Sequence, residues 1–532
     1  MRNPFSRSSG NGDDAPSKIY GYRVYIVALS AAWASAMYGY DSAFIGGTLE
    51  LPAFKTSFGI DGNNSTTLSS NVVSMFQAGA FFGAIFGFFF AEYFGRKPVI
   101  LGSGVVFTIG SGLQLVGRID ELYAGRVLTG LGVGASSTMI PVYISECSPA
   151  LVRGRLVGCF EIMLQVALVF GFWVNYGVDK NIPSTTSAQW RIPVGIQMIP
   201  AGLLLICMSW MIESPRWLAS KNRIVQAQKN LAWVRNLPFD HPYVVNELAE
   251  IQAAVNQELE MSGGRRTLSH IVRECATPGV RDRILIGMML MLLQNLTGIN
   301  SINYYSPTIF RSIGFTGTSV GLLATGVYGL VKMCTTMVFM IWIVDRFGRR
   351  GPLLVGAIGA AVAMFYLAIY SQLSQSFDQV PPSDSGSRTA VAMIYIYAIF
   401  YGFSWNGIPW IFASEVLPTR VRTIGMMCAV CMQWLAQFII VYSLPYMIAS
   451  IKYGTFYFFG ACTIVALVFA YFFVPETKGV PLEDMGILFG ADVSVFATKA
   501  RKNYLEFRQA ESRVAAEARL EKQTSSTHVE NV

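Results

Sequence analysis

Charge is scarce in this chain of 532 residues, where Asp, Glu, Lys and Arg together make up only 14%, against roughly a quarter in an ordinary soluble domain. Histidine is scarcer still: all three, His241, His270 and His528, sit in polar segments. A proton crossing the apolar interior must therefore ride on a carboxylate. The eight cysteines show no disulfide or metal spacing. There is no Walker A sequence, no metal-spaced His or Cys cluster and no nucleophile elbow, so neither an enzyme nor a cofactor is expected. The net charge of +8 is not interleaved with base-stacking aromatics, which excludes nucleic acid as the expected partner. Apolar surface is what the chain has in excess, with 53% of its residues in the AVILMFWYC set, 36 Phe and 50 Gly. A soluble fold could not wet that surface, whereas twelve lipid-facing helices of ~20 residues would use ~240 positions.

Twelve stretches read as such helices: approximately 22–48, 69–91, 98–117, 122–145, 155–178, 190–212, 283–305, 318–344, 351–372, 390–414, 424–448 and 453–474. The expected fold is an all-α membrane protein, divided into a tail at 1–21, a six-helix half at 22–212, a helical connector at 213–282, a second half at 283–474 and a tail at 475–532. The first stretch lacks the charged start and cleavage site of a signal peptide and reads as a retained span. Basic residues concentrate in the loops at 92–97, 153–155, 345–350 and 419–422, in the connector and in the second tail. That bias places the connector and both termini in the cytoplasm of a multi-pass protein of the cell membrane. Asn63 and Asn64 open two overlapping glycosylation sequons in the first loop, on the outer side.

The chain also repeats itself. Glu92-Tyr93-Phe94-Gly95-Arg96-Lys97 returns as Asp345-Arg346-Phe347-Gly348-Arg349-Arg350, Glu146-x-x-Pro149-x-x-x-Arg153 as Glu415-x-x-Pro418-x-x-x-Arg422, and Glu213-Ser214-Pro215-Arg216 loosely as Glu476-Thr477-Lys478. The order is kept. Two related six-helix halves with a site between them are the plan of a carrier that alternates access by rocking one half against the other.

With Gly125-Arg126, Glu213-Ser214-Pro215-Arg216-Trp217-Leu218, Gln294-x-x-x-Gly298-Ile299-Asn300, Tyr304-Tyr305 and Pro475-Glu476-Thr477-Lys478-Gly479, these motifs resemble the sugar porter family of the major facilitator superfamily over about 20–480. Gly39-Tyr40-Asp41-Ser42-Ala43-Phe44-Ile45-Gly46 and Gly326-Val327-Tyr328-Gly329-Leu330-Val331-Lys332 are most similar to its fungal quinate-permease-like branch, which also holds hexose and pentose carriers. The chain departs from the family at Glu92, where Asp is usual, at Asn295, where a second Gln is common, and at Asn406-Gly407-Ile408-Pro409-Trp410. The resemblance implies uptake of a small polyhydroxylated solute with protons by a monomer in the bilayer. It further implies polar substrate contacts from Gln165, Gln294, Asn295, Asn300 and Gln433 and apolar walls from Tyr304, Trp410 and Trp434. Amides suit the task because each both donates and accepts; the alternative is that they only join helices.

Ionisable groups inside spans are costly and so are functional candidates. Away from helix ends there are Asp41, Arg126, Glu161 and Lys332. Asp41 and Arg126 can share a depth, and by resemblance an acid at Asp41 marks proton-coupled members. Desolvation favours the neutral carboxyl and a nearby guanidinium the carboxylate, so a motion that changes their separation can load and release a proton. Lys332 lies ~20 Å along its helix from Asp345, near the midplane. It either faces a carboxylate substrate such as quinate or pairs with Glu161, one turn from Gln165. Two acids against two bases favour pairing and a neutral monosaccharide, with a quinate or sugar-acid proton symporter as the alternative and a non-transporting sugar receptor or metabolite exporter behind both. Glu92, Arg96, Glu146, Arg153, Asp345, Arg349, Glu415 and Arg422, with Glu213, Arg216 and Glu476 beside the connector, read as a cytoplasmic gate whose charges clasp in one state and part in another.

Overall fold

The computed structural model describes residues 17–60, 65–149, 152–261, 268–312, 314, 317–377, 384–418, 421–478, 480, 485–489, 496–497, 499–502 and 504–507. Asn63, Asn64 and most of both tails lie outside the described residues, as do the side chains of Arg153 and Asp345.

Each of the twelve apolar stretches is helical. The first half comprises α1 (Tyr22–Thr48), α2 (Ser65–Phe94), α3 (Arg96–Gln114), α4 (Ile119–Cys147), α5 (Arg153–Asn181) and α6 (Ala188–Ile196 continued by Met198–Ser209). The second comprises α7 (Val280–Leu296 continued by Ile299–Ser312), α8 (Thr318–Val338, widening into a π-turn at Phe339–Ile343), α9 (Arg350–Leu373), α10 (Ser385–Gly402 and Ile408–Val416), α11 (Arg422–Ile451) and α12 (Gly454–Phe473). Among the described residues nine of these are long and apolar enough to cross a membrane by length and composition. The other three, α1, α3 and α10, pack against α5, α4 and α9 respectively.

The bundle is apolar on its outer face and through most of its interior. Phe82, Phe86 and Phe90 follow at helical spacing on the outer face of α2 and stay about half exposed, a stripe that lipid, not water, would cover. Inside, α2 and α4 approach so closely that a Cβ on Gly79, Gly83, Gly130 or Gly134 would meet a backbone carbonyl of the facing helix. Small residues at four-residue spacing permit that approach, and dispersion between the backbones rewards it where lipid offers no hydrophobic drive.

The halves meet along α2 with α11, α5 with α8, and α1 with α7. The connector folds as Pro215–Ser220, Ile224–Arg235, Pro242–Met261 and Leu268–Cys275. Trp217, Leu218, Leu231, Val244 and Leu248 give it a small core of its own. It docks on the first half through Arg235, which is held by Glu247 at 2.6 Å and donates to the Cys147 carbonyl at 2.8 Å.

Candidate substrate site

Two helices of the second half are interrupted close to one another. α7 breaks at Thr297 and Gly298, where Gly298 takes φ +92°, and α10 unwinds between Gly402 and Ile408. A broken helix inside a membrane protein must satisfy its freed carbonyls from neighbours or a polar cavity. Gln294 does so here, donating through Nε2 to the carbonyls of Trp405 (2.7 Å) and Asn406 (3.0 Å).

Between the halves these breaks border a cavity of about 50 Å³. The first half contributes Tyr38, Ser42, Glu161 and Gln165; the second contributes Gln294, Asn300, Asn303, Tyr304, Lys332, Tyr401, Asn406, Trp410, Gln433 and Gln437. Just behind its wall Asn300 donates to Asn295 (2.5 Å) and Asn295 to Gln433 (2.6 Å). Tyr304 Oη donates to Ser42 Oγ (3.2 Å) and accepts from Gln437 (2.9 Å), tying α1 to α7 and α11. The amide oxygens of Gln165, Gln294 and Gln437 are buried without a hydrogen-bond partner among the described residues. Such groups are costly to leave unmade, and the hydroxyls of a polyhydroxylated solute are suitable donors.

Asp41 and Arg126, both fully buried, pair at 2.7 Å. Arg126 also donates to the Val72 carbonyl (3.0 Å) and lies 4.8 Å over the Phe76 ring. Asp41 Oδ2 and one terminal nitrogen of Arg126 have no hydrogen-bond partner among the described residues. The pair is beside the cavity, one residue from its lining member Ser42.

Glu161 and Lys332 line the same cavity, but the direct pairing favoured by the charge count is not formed. Glu161 Oε1 accepts from Gln165 Nε2 and Asn406 Nδ2, each at 2.7 Å. Lys332, 2% exposed, lies with its ammonium 5.7 Å over the Tyr401 ring and makes no hydrogen bond or ion pair within 4 Å to a described residue. Amides rather than the ammonium hold the carboxylate because they sit closer on α5 and on the unwound stretch of α10.

Gln165, Gln294, Asn300, Tyr304, Trp410 and Gln433 are thus brought together with Lys332 and Glu161. Asn295 and Trp434 are not in the lining. Asn295 is held one layer behind by Asn300 and Gln433, and Trp434 is wedged against Tyr38 and Phe76 with Nε1 on Ser137 Oγ (3.3 Å). Sequence reasoning did not single out Tyr38, Ser42, Asn303, Tyr401, Asn406 or Gln437. The spacing Gln433 to Gln437, one helical turn, was the available signal for the last of these.

At the connector end the charges expected to form a gate clasp within each half. Arg96 reaches Glu146 (3.2 Å) and Glu92 (3.2 Å), while Glu213 accepts from the backbone N–H of Arg96 (3.1 Å) and Lys97 (3.2 Å). In the second half Arg349 reaches Glu415 (2.7 Å), and Glu476 accepts from the N–H of Arg349 (2.9 Å) and Arg350 (3.1 Å). Arg422 donates to the Leu417 carbonyl (3.3 Å). Polar contacts at the opposite end run between the halves: Glu50 to Arg311 (2.7 Å) and Thr308 (2.9 Å), Ser70 to the Tyr442 carbonyl (2.6 Å) and Asp179 to Ser319 (2.5 Å). Burial acts to raise the Glu50 carboxyl, but Lys55 and Arg311 overcome it and hold the group below the usual glutamate value.

Two six-helix halves around a central polar cavity define a membrane transporter of the two-domain, alternating-access class. The family described as "Sugar (and other) transporter" matches residues 27–489. Among curated relatives, a "Probable quinate permease" of Aspergillus terreus is 41% identical over 483 residues, covering 89% of this chain and 88% of its own. A "Quinate permease" of Emericella nidulans is 42% identical over 480 residues, covering 89% and 90%. Among solved structures, the proton:xylose symporter XylE bound to 6-bromo-6-deoxy-D-glucose superposes with a TM-score of 0.72 at 27% identity, covering 88% of this chain and 99% of the other. The chain belongs to the sugar transporter family of the major facilitator superfamily.

Proposed function

We propose that this transporter takes up a hydroxylated carboxylate of the quinate type together with protons. The observation that carries the reading is Lys332, a buried ammonium on the cavity wall that forms no ion pair within 4 Å to a described residue. A buried ammonium whose nearest countercharge acts only from a distance is expensive, and a solute carboxylate would pair with it directly while solute hydroxyls reach the oxygens of Gln165, Gln294 and Gln437. The names of the curated relatives support the same choice.

Asp41 and Arg126 are the proton-coupling pair in this reading. Protonating Asp41 releases Arg126, and the Ser42–Tyr304–Gln437 contacts carry the change from α1 to the second half. The connector end is cytoplasmic, the protein a monomer of the cell membrane, and the clusters around Arg96 and Arg349 keep each half rigid as it rocks.

A neutral monosaccharide is the second reading, favoured by Glu161, whose carboxylate on the same wall can offset Lys332 at a distance. Counterflow of labelled quinate, xylose and glucose in proteoliposomes, with and without an imposed pH gradient, separates the two. Quinate exchange in the wild type, lost at least tenfold in Lys332→Met, is the expected result; sugar exchange indifferent to Lys332→Met would transfer the reading to the sugar. Asp41→Asn should still exchange substrate but no longer accumulate it against a gradient.

A further inference from the structure

We infer that Glu161 is a second proton site, filled when the solute carboxylate binds beside Lys332 and emptied when it leaves. The inference rests on the carboxylate reading above. It starts from how Glu161 is held: both amide donors, from Gln165 and Asn406, go to Oε1. Oε2 receives no hydrogen bond from a described residue and belongs to a side chain on the cavity wall.

Electrostatics supplies the coupling. Empty, the cavity holds one carboxylate and one ammonium. The other titratable groups on its wall are the phenols Tyr38 on α1, Tyr304 on α7 and Tyr401 on α10, which are neutral. Asp41, next along α1, is already paired with Arg126. A bound solute carboxylate turns the balance to two negative charges against one positive, among side chains that are nearly all buried. Two carboxylates sharing a site cannot both stay ionised cheaply. The inexpensive solution is one proton from bulk water on Oε2 of Glu161, which restores neutrality and converts an idle acceptor into an O–H donor aimed at the solute. Oε1 keeps its two amide donors, so the carboxyl does not have to move.

Glu161 therefore adds one proton per anion independently of Asp41, and carriage of both protons makes uptake of a monoanion electrogenic. The test is calorimetric titration of the purified full chain with quinate and with its neutral methyl ester, in buffers of different ionisation enthalpy, which counts the protons taken up per ligand. The wild type should take up about one proton more with quinate than with the ester, and Asp41→Asn should keep that difference. In Glu161→Gln the difference should vanish, and the affinity for quinate should lose its fall of about tenfold per pH unit on the alkaline side.

Equal proton uptake for the two ligands in the wild type would overturn the inference even if Glu161→Gln did not fold. A difference that persists in Glu161→Gln would put the proton on Lys332 and overturn it equally. Absence of quinate binding would instead remove the carboxylate reading itself, whereas quinate bound without the extra proton would leave that reading standing and remove only this one.

Discussion

The two halves build one device twice, in different settings. In each, a glycine outside ordinary φ space, Gly95 at +109° and Gly348 at +81°, turns the chain into the next helix. A carboxylate from the end of the same half, Glu213 or Glu476, caps the exposed N–H groups there, where the helix dipole favours negative charge. An arginine then reaches across to an acid, Glu146 or Glu415. Burial separates the copies: the Arg96 and Glu146 side chains are 7% and 9% exposed, those of Arg349 and Glu415 12% and 26%. Ser214 Oγ also donates to Glu146 at 2.5 Å, whereas Thr477 reaches Glu415 only at 3.3 Å. An ion pair is strong or weak by its surroundings rather than by its residues, so the first copy is the stiffer.

Breaking the stiffer copy should have the largest effect. Arg96→Ala leaves Glu146 buried without its ion partner and should cost about 3–5 kcal/mol, read as a fall in the melting temperature of the purified protein. Gly95→Ala comes next, at about 1–3 kcal/mol for a non-glycine residue forced into that backbone region, with a further loss because the new Cβ would meet the Glu213 carboxylate. Arg349→Ala should cost less than Arg96→Ala, about 1–3 kcal/mol for charged hydrogen bonds in a wetter setting. A double-mutant cycle sharpens the contrast: coupling between Arg96 and Glu146 should exceed that between Arg349 and Glu415, and equal couplings would refute the burial argument.

The smallest effect belongs to the opposite end, where Arg311→Ala removes a half-exposed partner of Glu50 and should cost about 0.2–1 kcal/mol. Its pH dependence has a definite sign. Because Glu50 is held below its ordinary value of 4.5, the contact contributes fully above that pH and is lost as pH falls through the lowered value. The difference in melting temperature between wild type and Arg311→Ala should stay constant down to pH 4.5 and shrink only below it.

Much of this was legible in the sequence. Twelve long apolar runs admit little but helices, and the echo of Glu92–Lys97 in Asp345–Arg350 announced two related halves. Asp41 and Arg126 could be paired because two charges deep in neighbouring spans have few other ways to be neutral. The same logic failed for Glu161 and Lys332, because the sequence did not reveal that α10 unwinds around Asn406 and offers the carboxylate an amide. Asn295 and Trp434 lay on the right helices yet sit one layer behind the cavity wall, because neighbouring side chains decide which residues of a helix reach the surface of a cavity.

The sequence by itself determined the solvent of this protein, its helix count, its duplication and the few ionisable residues placed deep in its spans. Those follow from composition and spacing, because the bilayer allows a chain few ways to satisfy its backbone. Only the tertiary structure decided which charges are paired and which line the cavity. Those outcomes turn on ångström separations between helices distant in sequence, where an amide at 2.7 Å displaces an ammonium that spacing alone would have chosen.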